Sequence, residues 1–375
     1  MNLVYPGSEE VVIDTATPPG SKPLARPAPI VRADRLEYLV WDVADLPGQR
    51  GFLEDFGMTV LQESADTLYM RGHGPQHYLY VGRKAARHAF VGAGFCVNSR
   101  EELDTLAAAT GEAVTQLDRP GGGSVVTLTG PNGILIEVCW GIEPLDPQPT
   151  RKEPLPVNTP GNLTRVNSAQ RPPLEPSALL KLGHLVTGVN RIEEAAEWYM
   201  RHLGLLATDV QCVRDGSPAI VFMRLDRGDK PADHHTLVVG KGAGEGYLHS
   251  AYEVIDLDAI AQGQQYLKSR KRDHLWGIGR HILGSQLFDY WKDPEGFEFE
   301  HYADGDVFTA EYPTAYHPLD SGNVYAWGPD MPKSMMSPGV KQVLGILRAV
   351  IRGDISLAWL RSAMKSISRP ARPWL

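Results

Sequence analysis

The sequence predicts an α+β fold made of two related blocks in tandem. Each block is built from two strand–helix–strand–strand–strand units. Three observations predict this. Short apolar runs bounded by Gly, Pro and Asp recur between amphipathic helical stretches. A proline-rich stretch divides the chain near its middle. The runs on either side of it align with one another at their strand-forming positions.

The elements follow in order. Residues 1–32 form an extended arm, "MNLVYPGSEEVVIDTATPPGSKPLARPAP", with prolines, small polar residues and no apolar signal core. The first block covers 33–142. A linker follows at 143–177, "EPLDPQPTRKEPLPVNTPGNLTRVNSAQRPPLEPS"; proline removes backbone donors and fixes φ, so neither a helix nor a central strand fits there. The second block covers 178–303. In it "HLVTGVNRIEEAAEWYMRHLGLLATDV" reads strand, helix, strand, with Gly204 stopping the helix. "AIVFMRL" and "HTLVVG" read as strands, "SAYEVIDLDAIAQGQQYLKSRK" as strand then helix with Asp256 or Asp258 as its cap, and "HILGSQLFDYW" and "FEFEHY" as further strands. Residues 304–375 form an irregular stretch and then a basic amphipathic segment.

Composition bounds the function. The 375 residues suffice for two cored domains, and 42% hydrophobic with 22% charged residues is ordinary for a soluble protein. A net charge of −8 gives no reason to expect nucleic acid. No apolar run is long enough to span a bilayer. Three scattered cysteines, Cys96, Cys139 and Cys212, predict no disulfide framework and a reducing, cytoplasmic setting.

Aligning the blocks isolates the chemistry. "KDPEGFEFEHY" against "TGPNGILIEVCW" sets Glu300 on Glu137, "KLGHLVTGVN" against "RLEYLVWDVA" sets His184 on Tyr38, and "HSAYEV" against "GAGFCV" sets His249 on Gly92. The alignment also sets Glu298 on Leu135, so the acids of "FEFEHY" are not plainly a solvent face. An enclosed carboxylate is costly unless paired, hydrogen-bonded or bound to metal. His184, His249 and Glu300 are therefore candidate metal ligands, and two imidazoles with one carboxylate suit a divalent first-row metal with open positions.

Residues 33–303 resemble the type I extradiol ring-cleavage dioxygenases, the catechol 2,3-dioxygenase-like enzymes of the vicinal oxygen chelate superfamily. The resemblance rests on "LGHLV", "HHTLVVG", "LHSAYEV" and "GRHILGSQLFDYWKDPEGFEFEHY", and on the spacings 249 − 235 = 14, 300 − 281 = 19 and 300 − 290 = 10. It implies two tandem vicinal oxygen chelate domains whose βαβββ modules form an open barrel around the site. It implies His184, His249 and Glu300 as ligands of Fe(II), with Mn(II) admitted by the same set. It implies His235 as the acid/base on the oxygen side and His281 and Tyr290 as partners of the substrate hydroxyls. The activity implied is cleavage of a catechol by O2 in aromatic catabolism, by a homo-oligomer, with the first block keeping the fold without the metal. One position departs from the family: Asp289 stands where an apolar residue usually precedes the active-site tyrosine, which puts the substrate side group and the local packing in question.

Simpler readings stand beside these. A lone strand histidine is more often a satisfied core residue than a ligand, and Tyr290 alone would read as a core aromatic. Alternation turns His234 away from the face of His235 and His301 away from that of Glu300. The "GGG" at 121–123 is a turn, and His73, His77 and His88 are surface or structural. Two rival classes remain: another metal-dependent enzyme of the superfamily, an isomerase or thiol transferase, and a non-catalytic binding member. In 340–375, Lys341, Arg348, Arg352, Arg361, Lys365, Arg369 and Arg372 against Asp354 give 7 − 1 = +6. Its apolar positions recur at helical spacing. Docking as a lid or oligomer contact is the favoured reading, with contact to an anionic membrane surface second.

Overall fold

The computed structural model describes residues 2–3, 11–12, 20–21, 23–242, 244–319, 324–336 and 340–367. Half of the expected arm, and Arg369 and Arg372 in the last segment, lie outside the described residues.

Two large mixed sheets carry the chain. The first comprises β1 (Ala33–Val43), β2 (Thr59–Glu63), β3 (Thr67–Arg71), β4 (Tyr80–Lys84), β5 (Ala89–Val97), β6 (Val114–Gln116), β7 (Ser124–Thr129) and β8 (Leu135–Trp140), in the order β2-β3-β4-β1-β5-β8-β7-β6. The second comprises β9 (Lys181–Val189), β10 (Leu206–Cys212), β11 (Pro218–Arg224), β12 (Leu237–Lys241), β13 (Gly246–Glu253), β14 (Asp273–Arg280), β15 (Leu287–Lys292), β16 (Glu298–Ala303) and β17 (Ala315–Pro318). Its order is β14-β15-β16-β13-β9-β12-β11-β10-β17. Read from opposite ends, the first eight strands of each half follow the same order, so the second sheet repeats the first and adds β17 at one edge.

The register repeats too. Tyr38 lies opposite Gly94, and Val40 opposite Gly92; His184 lies opposite Ala251, and Val186 opposite His249. Glu137 lies beside Gly94 as Glu300 lies beside Ala251. Tyr38, Gly92 and Glu137 thus occupy the register positions of His184, His249 and Glu300.

Each half carries two helices, Leu46–Phe56 and Arg100–Thr110, then Ile192–Leu203 and Leu257–Ser269. Asp256, not Asp258, caps the last of these: its side chain accepts from the Ala259 N–H. Gly204 ends the third in the left-handed region at φ 68°. The halves share one hydrophobic core. Phe52 and Phe56 from the first helix meet Phe299 edge-on at 5.4 and 5.7 Å between ring centroids. His301 Nε2–H donates to the Phe56 carbonyl at 2.8 Å. The alternation in "FEFEHY" is thereby explained. Phe299 and His301 face the first half, while Glu298 and Glu300 face the other side of the sheet.

Three local readings of the sequence are corrected. "HILGSQ" is a turn, because Gly284 and Ser285 adopt φ of 80° and 54°, so the strand begins at Leu287. Its neighbour β14 falls in "DHLWGIGR", which the apolar pattern did not mark. The strand expected from His235 begins its regular pairing at Leu237. His234 bonds through its backbone N–H to the Asp306 carbonyl instead, so strict alternation does not govern the two histidines.

At the C-terminus, helices Val340–Arg352 and Leu357–Ile367 pack on the second half through Ala349, Ile355, Trp359 and Ala363, against Val213 and Ala219. Among the described residues no helix is long and apolar enough to cross a membrane.

Candidate metal centre

Three adjacent strands supply the centre. His184 comes from β9, His249 from β13 and Glu300 from β16, and one ligand atom from each lies within 4.8 Å of the others. Glu300 Oε2 is 3.2 Å from His184 Nε2 and 3.3 Å from His249 Nε2. His184 and Glu300 are buried, while His249 keeps a partly open side.

The polar atoms here are poorly satisfied by protein. Both carboxylate oxygens of Glu300 and Nδ1 of His184 are buried without a hydrogen-bond partner. Leaving such groups unmade costs about 1–3 kcal/mol each, more when charged. A divalent cation would satisfy the carboxylate, and the donor set is the one such ions take. The residues therefore fit a metal.

Charge is tuned by the surroundings. Burial alone would raise the Glu300 carboxyl, yet the facing His184, His249 and His281 hold it well below the usual carboxylate range. Burial lowers the basicity of His184 and lowers that of His235 strongly, with the His184 and His234 charges acting in the same direction on His235. Both imidazoles are neutral near pH 7. Burial, then the Glu300 charge, pushes the Tyr290 hydroxyl well above its ordinary value, so it stays a donor.

The remaining expected residues converge on the same centre. His235 lies against His184, ring centroids 4.2 Å apart. His281 Nδ1 is 2.5 Å from the Val324 carbonyl, which can only accept, so Nδ1 carries a proton. Its Nε2 lies 3.0 Å from the Tyr290 hydroxyl oxygen. Nε2 also lies 3.7 Å from Glu300 Oε1. Trp276 stacks on Tyr290 and Phe288 on His281, which fixes both rings.

Asp289, the departure from the family pattern, points the other way. It is buried and accepts from His274 Nε2 at 2.8 Å, Gln264 Nε2 at 3.0 Å and Trp291 Nε1 at 2.7 Å. It is a satisfied packing residue outside the centre, so the question about the substrate side group falls away. His234 does not turn away from His235: their Nδ1 atoms are 2.8 Å apart. Behind His234 stand Asp209 and His317, which the sequence reading missed. Neither falls in a recognisable motif, and only the packing of β10 beside β17 brings them together.

No family model matches the chain. It is 28% identical to metapyrocatechase 2 of Cupriavidus necator over 316 residues, 83% of this chain and 93% of the relative. Solved structures share the fold. One is the Mn(II)-bound glyoxalase of Novosphingobium aromaticivorans, with TM-score 0.68 and 21% identity over 82% of this chain and 95% of that one. Another is homoprotocatechuate 2,3-dioxygenase of Brevibacterium fuscum in complex with 3,4-dihydroxyphenylacetate, with TM-score 0.68 and 20% identity over 84% and 95%.

Proposed function

We infer that the chain is an extradiol ring-cleavage dioxygenase of the vicinal oxygen chelate superfamily, which opens a catechol-type ring with O2 at a non-haem Fe(II) centre. The observation that carries this reading is the group His184, His249 and Glu300, with His235 on one side and the pair His281 and Tyr290 on another, inside a framework similar to metapyrocatechase 2 along most of its length.

In this reading His184, His249 and Glu300 hold the metal. When bound, the metal supplies Lewis acidity and brings the two reactants to one place. One carboxylate against a dication leaves the site net positive, suited to a catecholate. The Tyr290 O–H, kept protonated by burial, is a donor toward a substrate oxygen, and His281 is held by the Val324 carbonyl to receive the proton of a substrate hydroxyl. His235, neutral and enclosed, takes a proton and returns it to the departing oxygen as general acid. Buried Trp276 and Phe288 keep water from that side.

The decisive experiment loads the protein anaerobically with Fe(II) or Mn(II) and follows O2 uptake and yellow ring-fission product across simple, alkyl and biaryl catechols. Turnover with neither metal would sink the reading. Its rival is a metal-dependent isomerase, favoured by the likeness to the Mn(II)-bound glyoxalase. Conversion of a hemithioacetal without O2 uptake would select it.

We propose a cytoplasmic setting, supported by three buried free cysteines. We also propose that the C-terminal helix pair, held to its own chain by one face, meets a neighbouring subunit with its outer face. An anionic membrane surface is the competing partner.

A further inference from the structure

Behind His235 runs a buried chain of polar contacts. His234 Nδ1 lies 2.8 Å from His235 Nδ1, His234 Nε2 lies 2.7 Å from Asp209 Oδ2, and His317 Nε2 lies 2.9 Å from Asp209 Oδ1. His235, His234, Asp209 and His317 are all buried, none more than 5% exposed. Phe222 packs edge-on against both His234 and His235, with centroids 5.5 and 5.4 Å away. His317 lies on β17, which among the described residues has no counterpart in the first sheet.

The directions of the two bonds to Asp209 are fixed by what each atom can do. An ionised carboxylate only accepts. Asp209 is held ionised, down to about 2: burial opposes this, but the bonds from His234 and His317 outweigh it. Both facing Nε2 atoms therefore carry protons. If His234 carries the Nε2 proton alone, as the proposal below takes it, its Nδ1 is bare and is an acceptor. The proton between the two Nδ1 atoms then belongs to His235. That leaves His235 Nε2 unprotonated, as the atom with a free lone pair.

We propose that Asp209, with His317 and through His234, is a positioning device that holds His235 as the Nδ1–H tautomer and keeps its Nε2 ready to take and return a proton. The step balances simply. An O–H bond breaks as an Nε2–H bond forms, and the reverse transfer restores the starting tautomer; Nδ1–H stays bonded to His234 throughout. Without the carboxylate, His234 is free to protonate on Nδ1, which would push the His235 proton to Nε2 and block it as a base. The inference about catalysis rests on the proposed function, whereas the tautomer does not.

The test separates the two. 15N NMR of the histidine side chains in metal-free protein, assigned with His234→Gln and His235→Gln, is expected to show His235 protonated on Nδ1 and His234 on Nε2. A wild-type His235 protonated on Nε2 would overturn the proposal without any variant. Asp209→Asn is expected to shift both tautomers and to lower kcat of the metal-loaded enzyme about 10- to 100-fold, the usual effect of an orienting partner, with KM and metal content little changed. Should Asp209→Asn fail to fold, the wild-type spectrum and the comparison of His234→Gln with His234→Phe carry the test. His234→Gln, which can accept from His235 and donate to Asp209, should retain much more activity than His234→Phe. Wild-type tautomers and kcat in Asp209→Asn would also overturn it. A wild type inactive on every catechol would sink the functional reading and leave the NMR result standing.

Discussion

Tyr38 donates a 2.8 Å hydrogen bond to Glu137 at the register positions that His184 and Glu300 fill in the second half. The same carboxylate receives both arms of Arg119, each at 2.8 Å, and the guanidinium lies over the Tyr38 ring. A Cβ at position 92 would collide with the Leu135 carbonyl, so no side chain can enter from there. The first half thus keeps the buried carboxylate and satisfies it with an internal cation. Removing one partner of such a pair strands the other, at about 3–5 kcal/mol. Arg119→Met and Glu137→Met should each lower stability by that order, and the double variant Arg119→Met/Glu137→Met should recover most of the loss. Urea unfolding of the four proteins measures this, and additive losses would contradict the pairing.

In the second half no lysine or arginine among the described residues pairs with the Glu300 carboxylate, so the metal should carry the corresponding stabilisation. Fe(II) or Mn(II) at 100 times its dissociation constant should add about 2.7 kcal/mol, and chelation should remove it. His184→Ala, His249→Ala and Glu300→Ala should each lose bound metal and all turnover while remaining folded, because the shared core of Phe52, Phe56 and Phe299 does not pass through the centre. Metal analysis with circular dichroism checks both parts. Full metal occupancy in Glu300→Ala would remove it from the ligand set.

The contrast between the halves shows what was legible. Strand order and register follow from apolar runs that recur in both halves, so setting His184, His249 and Glu300 against Tyr38, Gly92 and Glu137 was within reach of the sequence. The alternation in "FEFEHY" was visible, but its cause was not, because the apolar face is covered by a helix some 240 residues earlier. Asp289 looked like a change in the substrate pocket because side-chain direction depends on the register with β14, a strand the pattern did not reveal. Asp209 and His317 were invisible for a different reason. A lone Asp and a lone His in separate strands carry no spacing signal, and only the edge pairing of β10 with β17 joins them.

A pH effect is expected where the halves meet. Asp293 is buried beside His88, whose Nε2 lies 3.5 Å from its Oδ2, and that oxygen has no hydrogen-bond partner. Oδ1 accepts from the Glu295 and Phe297 N–H groups. Burial pushes the carboxyl up to about 6, against those backbone bonds and with the Glu295 charge adding to the rise. The folded value thus exceeds the unfolded one. Between about pH 4 and 6 the folded protein keeps a proton the unfolded chain has lost, so this group makes stability fall as pH rises through that window. Asp293→Asn should match the wild type near pH 4 and exceed it above pH 6 by up to about 3 kcal/mol. Thermal or urea unfolding at both pH values measures the difference. A constant difference at both would show that Asp293 does not titrate there.

The C-terminal helices present an inverted arrangement. Ala349 and Ala363 face inward with Ile355 and Trp359, while Leu344, Leu347, Ile351, Leu357 and Met364 are exposed. Asp354, the acid between the two helices, is engaged by Arg191 at 2.8 Å, and Lys241 lies over the Trp359 ring, so the inner face is fastened to the second half. The outer face carries bulky apolar side chains flanked by Arg348, Arg352, Arg361 and Lys365. A surface of this kind suits either a neighbouring subunit or an anionic bilayer. The reading as a subunit contact expects Leu347→Ser/Ile351→Ser, or truncation after Gly339, to convert an oligomer to a smaller species or to change catechol preference. Light scattering and an O2-uptake screen read these outcomes. An unchanged oligomer and unchanged catechol preference, together with lost sedimentation on vesicles containing phosphatidylglycerol and retained indifference to neutral vesicles, would replace the subunit contact with a membrane surface.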